Sequence, residues 1–189
     1  MSTRGNVVFA SRYYIEEKNL SESNFMRIKS AKNRLIKNSY KIYVHSDMYP
    51  SGAMKDLQNF LRMSGAKHRA SDTSYLSAWF VGYKCLDMVP YTRRMGDSNF
   101  DYENCTNPSL EDMKESKDFF GIGLMQETSD WAEYSYLITP KLTTTGNYYP
   151  NSEENSFDIY IFEGNFEKFL KKVNSEDDIS IYENEDWWY

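Results

Sequence analysis

Two hydrophobic rhythms alternate along the chain. Gly5 to Phe9 and Arg12 to Glu16 are short runs rich in Val, Phe, Tyr and Ile, separated by a polar break, and both read as strands. Ser21 is placed to cap a helix whose Phe25, Ile28, Leu35 and Ile36 share a face, with Arg27, Lys29, Lys32, Arg34 and Lys37 as its solvated side. From Lys41 to His45 the period returns to two, predicting a strand that Pro50 stops. Ser51 then caps a helix in which Ala53, Met54, Leu57, Phe60 and Leu61 recur at helical spacing until Gly65. Asp72 or Thr73 opens a second helix, and Tyr75, Leu76, Trp79, Phe80 and Tyr83 on its one broad face are expected to be core.

The second half is less regular. Between Val89 and Asn107 the apolar period is lost among Gly, Asn, Asp and Pro, which predicts a long loop over 89–107, the segment expected to be most mobile, before a short helix at Pro108. Gly121 to Gln126, Trp131 to Thr139 and Phe157 to Glu163 read as strands, the first two joined by a polar turn at Glu127 to Asp130. Asn165 is expected to cap a last helix carrying Phe166, Phe169, Leu170 and Val173, and Ile179 to Tyr182 to form a closing strand. With no repeat and no linker in sight, the expectation is a single α+β domain over residues 1–189, a mostly antiparallel sheet with helices packed on it.

Composition narrows the function classes. Apolar residues make up 40% and aromatic residues 16% of the 189, enough for a self-sufficient core without disulfide or metal. The net charge of −6 argues against broad nucleic-acid binding and against an anionic membrane surface, while leaving room for a local basic pocket. Cys85 and Cys105 stand alone, without CxxC spacing or a Cys/His cluster, so no metal site and no cofactor is expected. No apolar leader and no run of about 20 apolar residues appears, so a cytoplasmic protein is expected. The acidic, aromatic ending Glu183-Asn-Glu-Asp-Trp-Trp-Tyr is read either as a docking tail or as a segment folded on the body.

Candidate chemistry gathers around the two histidines. His45 and His68 are a suitable base and acid for a metal-independent phosphodiester cleavage, with Arg4 or Arg69 stabilising charge on phosphate. The plainer reading makes His45 a strand-end residue held by Asp47 and His68 an exposed loop residue. Asp47, Tyr49 and Pro50 serve equally as turn residues, and Gly52 near a helix start offers amides to an anion. Trp79 and Tyr91 can stack on a base, and Arg93 and Arg94 can close over an anion. There is no Walker motif, GxGxxG, HExxH or nucleophile elbow.

Four segments carry a resemblance: the opening Met1-Ser-Thr-Arg-Gly-Asn, the turn His45-Ser-Asp-Met-Tyr-Pro-Ser-Gly52, the stretch Arg69-Ala-Ser-Asp-Thr-Ser-Tyr-Leu76 and the strand Trp131-Ala-Glu-Tyr-Ser-Tyr-Leu-Ile138. Together they resemble a widespread family of largely uncharacterised proteins, many encoded by tailed bacteriophages. Met48 departs from that pattern, which commonly has Gly there. The resemblance implies a phage setting, hence the host cytoplasm, and no particular reaction. Combined with basic, aromatic and His residues in an acidic chain, it yields an expected function. It is that of a phage-type accessory protein, of the kind that counters host defence, expected to recognise a nucleotide-like anionic ligand such as a cyclic nucleotide. The expected pocket is Arg4, His45, Asp47, Tyr49, Arg69 and Tyr75, and the ligand is either sequestered or cleaved by His45 and His68. The alternative is an inhibitor or virion component that binds a host or phage protein through an acidic, aromatic surface.

Overall fold

The computed structural model describes residues 3–10, 39–45, 48–94, 121–141 and 154–178, with side chains of the long helix described as far as Cys85. Among them, β1 (Gly5–Phe9), β2 (Tyr40–Val44), β3 (Ile122–Met125), β4 (Tyr134–Lys141), β5 (Ser156–Glu163) and β6 (Lys168–Asn174) form one sheet in the order β3-β2-β1-β4-β5-β6. Every neighbouring pair is antiparallel except β1 with β4. Helices α1 (Pro50–Leu61), α2 (Ser64–His68) and α3 (Thr73–Arg94) complete the described elements. This is the expected α+β fold, a mostly antiparallel sheet with helices packed on it. The elements expected at 12–16, 21–36, Pro108 and 179–182 lie outside the described residues.

Period-two alternation sorts the strands into two buried faces. Val7, Phe9, Ile42, Val44, Tyr136, Ile138, Phe157, Ile159 and Ile161 join Met54, Leu57, Phe60, Leu76 and Phe80 of the helices in one core. At its centre the rings of Phe9, Phe60 and Phe80 meet edge-on, with centroids 5.3 to 6.2 Å apart, each burial contributing on the order of 2–3 kcal/mol. Val8, Ala10, Leu137, Tyr160, Phe162 and Phe166 form a second cluster on the opposite face. Asp56 and the buried Lys84 pair across α1 and α3.

Several elements differ from the sequence expectation, each for a local reason. The predicted last helix is the strand β6. Its Phe166, Phe169, Leu170 and Val173 have helical spacing because the β5–β6 register shifts between Ile161 and Phe162, leaving Leu170 without a cross-strand partner. That bulge puts Phe169 against one cluster and Val173 in the other although both are odd-numbered. The hairpin before it turns through Gly164 (φ 65°) and Phe166 (φ 56°), the latter held by burial of its ring 5.1 Å from that of Phe162.

α1 starts at Pro50 with Tyr49 in the N-cap position, so Ser51 lies inside the helix. The fixed φ of proline suits the first helical position. α1 ends at Leu61, and Gly65 belongs to α2 instead. α3 runs through Arg94, so 89–94 are helix rather than loop; Pro90 removes one hydrogen bond without ending it. The rest of the expected loop lies outside the described residues. The 127–130 connection is present, yet it joins strands that do not pair, since β2 and β1 lie between β3 and β4.

Asn6 of β1 ties that connection down. Its amide nitrogen donates to Ser129 O (3.0 Å), Ser135 Oγ and Asn165 Oδ1, and its oxygen accepts from Ser129 N (3.0 Å). Beside it, Gly5 leaves the space that Met48 fills. A Cβ at Gly5 would lie 2.7 Å from Met48 Cβ, and the buried Tyr136 hydroxyl donates to Met48 O at 2.7 Å.

This junction generates two predictions. Gly5→Ala destabilises the chain by about 1–3 kcal/mol through overpacking. Met48→Ala in the same chain restores part of the loss, because the Cβ of Ala still crowds Gly5 while the rest of the Met side chain is gone. Strict additivity of the two losses in denaturant unfolding would count against the contact. Burial, with Tyr134 beside it, holds the Tyr136 phenol well above the ordinary tyrosine range. A raised folded-state value gives stability that is complete below about pH 10 and declines as the pH rises through it, because the unfolded chain ionises first. Tyr136→Phe costs about 1–2 kcal/mol at neutral pH by orphaning Met48 O, and flattens the alkaline decline measured by urea unfolding between about pH 9 and 11.

Candidate functional site

The expected site residues divide between two ends of the molecule. Gly5 faces Val44 and Tyr134 across the sheet, so the start of β1, the end of β2 and the start of β4 share one end. Arg4 precedes β1 there. Its carbonyl accepts from Glu133 N (2.9 Å), its guanidinium lies 5.8 Å from the Trp131 ring centre, and its buried Nε meets no acceptor among the described residues. Trp131 is 75% exposed. Tyr49, exposed at the head of α1, sets its ring 6.4 Å from that of Tyr134. Burial, then Glu163, Glu133 and Tyr49, push the Tyr134 phenol up, so it stays a donor at neutral pH.

His45 also stands at this end, just past β2. Its amide donates to Gly121 O (2.7 Å), and its Nδ1 lies 3.1 Å from the Tyr43 hydroxyl. Asp47 lies outside the described residues. Glu133 and Glu163 both lie close enough to raise the Tyr134 phenol, and two carboxylates disfavour a phosphate beside it.

His68, Arg69 and Tyr75 are at the other end. α1 leads away from Tyr49, and its twelve residues span about 18 Å. At its far end Gln58 and Arg62 reach the turn that follows β6, and α2 begins two residues after Arg62. His45 and His68 are therefore separated by roughly the length of that helix. A proton donor and acceptor acting on one phosphodiester must both lie within hydrogen-bond reach of it. In this arrangement the two imidazoles do not share a site.

At the α2–α3 junction the sequence has built a compact cation and ring surface. Asp72 caps α3, its Oδ1 accepting from Ser74 Oγ (2.7 Å) and Tyr75 N (3.0 Å). Those two hydrogen bonds, with Arg69 adding a smaller share, hold the Asp72 carboxyl below the usual range. The cap fixes where Tyr75 emerges, and the Arg69 guanidinium sits 5.2 Å from its ring centre. One helical turn on, the Trp79 ring is 5.5 Å from Tyr75 and lies directly over Gly65, where any Cβ would collide with the indole. Tyr75 and Trp79 are each 37% exposed. Both were expected in the core on helical spacing. Leu76 and Phe80 do take core positions, whereas Tyr75 and Trp79 keep one ring face in solvent.

The structure therefore brings Arg69, Tyr75 and Trp79 into contact at one end, with His68 next to Arg69 in the chain, and at the other end pairs Arg4 with Trp131, with His45 and Tyr49 standing at that same end. The Arg69–Tyr75 pairing is local and lay within one motif. The Arg4–Trp131 pairing joins distant parts of the chain and left no signal in the spacing of either residue. Lys67, missed as a site residue, pairs with Glu176 (3.2 Å), a contact that only the docking of α2 beside β6 creates. Among the described residues no three His, Cys, Asp or Glu side chains gather into a metal-ligand set, and no helix is long and apolar enough to cross a membrane. Comparison with known proteins finds no matching family model, no matching curated protein and no matching solved structure.

Proposed function

We propose that the α2–α3 junction recognises a nucleotide-like anionic small molecule and holds it without cleaving it. The observation that carries this reading is the side-by-side presentation of the Arg69 guanidinium and the half-open rings of Tyr75 and Trp79. A phosphate takes the guanidinium fork while a base stacks on a ring, each contact too weak alone and sufficient together. The separation of His45 from His68 favours sequestration over hydrolysis. The setting we infer is a phage accessory protein that lowers a host nucleotide signal, and it rests on the family resemblance carried by the four quoted segments.

A specific observation supports a second reading, contact with another protein. Trp131, 75% exposed beside Glu133, is an acidic, aromatic surface of the kind that anchors an interface.

Thermal shift against a panel of nucleotides and cyclic dinucleotides, with and without EDTA, tests the first reading. A binding nucleotide at a hundred times its Kd stabilises the chain by about 2.7 kcal/mol. Arg69→Glu and the Trp79→Ala change each weaken binding by about tenfold or more, whereas His45→Ala leaves it unchanged. Mass spectrometry recovers the ligand intact after denaturation. Loss of binding in Arg4→Ala with Arg69→Glu unaffected would move the site to the other end of the sheet, and turnover by the wild type would replace sequestration with catalysis.

The Asp72 cap supplies a pH test. A lowered folded-state value means stability that is present above about pH 4 and lost as the pH falls through the folded value. Asp72→Ala costs about 1 kcal/mol near neutral pH and removes that share of the acid sensitivity, measured as the midpoint of urea unfolding between about pH 2 and 7. An unchanged acid profile in the variant would argue against the cap.

A further inference from the structure

The turn after β6 delivers the last part of the chain onto the same helical surface. Gln58 Nε2 donates to the carbonyls of Asn174 and Asp177, both at 3.1 Å. Arg62 donates from Nε to Ser175 O (2.7 Å) and from Nη2 to Asp177 O (2.5 Å). One turn further along, Lys67 pairs with Glu176, and Asn155 donates to Lys67 O (3.0 Å). Residues 174–177 are thus fixed along α1 and α2, with Glu176 held at Lys67, two residues before Arg69.

Eleven residues follow Asp178, Ile179-Ser-Ile-Tyr-Glu-Asn-Glu-Asp-Trp-Trp-Tyr189. Extended, they reach up to about 36 Å, ample for a surface whose nearest cation is already paired with Glu176. Their chemistry is complementary to it. Glu183, Glu185 and Asp186 are opposite in charge to Arg69, and Trp187, Trp188 and Tyr189 match the open faces of Tyr75 and Trp79 and the 42% exposed Met63. The tail also carries the two features proposed for the ligand, an anion and a flat ring, in one short segment.

We infer that residues 183–189 dock in cis on the Arg69–Tyr75–Trp79 surface and compete there with the nucleotide-like ligand. The competition rests on the function proposed above; the docking itself does not. The carboxylates stand in for phosphate at Arg69, and an indole stands in for the base on Tyr75 or Trp79. Because the tail is tethered beside the site, it needs only weak intrinsic affinity to cover it.

The test uses the full chain with a photoreactive benzoyl-phenylalanine in place of Trp188. Irradiation at low protein concentration followed by peptide mapping is expected to give intramolecular cross-links to residues 63–79. Arg69→Glu lowers their yield by about fivefold, and adding Glu185→Lys and Asp186→Lys to that chain restores it. Cross-links confined to other regions or to a second molecule overturn the docking, as does a yield indifferent to the charge reversals. Nucleotide affinity of the otherwise unaltered chain carrying Glu185→Lys and Asp186→Lys reads the competition, and it is expected to rise above wild type. An unchanged affinity, with binding still lost in Arg69→Glu, overturns the competition alone. Cross-links to residues 63–79 in a chain that binds no nucleotide uphold the docking and remove the nucleotide reading.

Discussion

Everything in this fold hangs on β1, a five-residue strand buried on both faces and hydrogen-bonded on both edges. Such a strand has no solvent side on which to place a charge, so its one strongly polar residue, Asn6, has to be satisfied from within. It is, by Ser129, Ser135 and Asn165, and this forces the β3–β4 connection to cross the sheet end under β1 instead of closing a hairpin. The crossing carries Trp131 to Arg4. The small side of the same strand, Gly5, admits Met48, and the Met48 carbonyl held by Tyr136 positions the head of α1. From that fixed head, the length of α1 determines how far the α2–α3 junction stands from His45.

This chain of constraints explains which parts were legible in the sequence. β1, β2 and β5 are short runs rich in Val, Ile, Phe and Tyr, so composition, with alternation in β2, located them within a residue. β6 was not legible as a strand. Its bulge inserts one residue into the alternation and converts a period of two into a spacing indistinguishable from i, i+3, i+4, i+7. The interior of α3 was legible and its end was not, because Pro90 reads as a stop in any local scheme.

The candidate site shows the same divide between local and long-range information. Arg69, Asp72, Tyr75 and Trp79 lie in one continuous segment, where a cap and helical spacing suffice to predict neighbours. The single pocket expected from Arg4, His45, Asp47, Tyr49, Arg69 and Tyr75 needed α1 to fold back, and nothing in the residue types measures a helix's length against a sheet's. The place of Trp79 likewise depends on Gly65, whose missing Cβ leaves the space that the indole occupies.

The competition between tail and ligand has a quantitative consequence. On the proposed docking, a short tether holds its end at an effective concentration of about a millimolar. If the tail's intrinsic Kd for the surface is also near a millimolar, the site is open about half the time and the ligand loses only about twofold in affinity. At an intrinsic Kd of about ten micromolar the loss grows to about a hundredfold. One aromatic and one charge contact, each partly exposed, belong near the weaker limit, and Glu176 already neutralises Lys67 before the tail begins. On the proposed docking the tail therefore lowers the affinity of every ligand at that surface by the same modest factor, and discrimination between ligands stays with what each makes of the guanidinium and the rings.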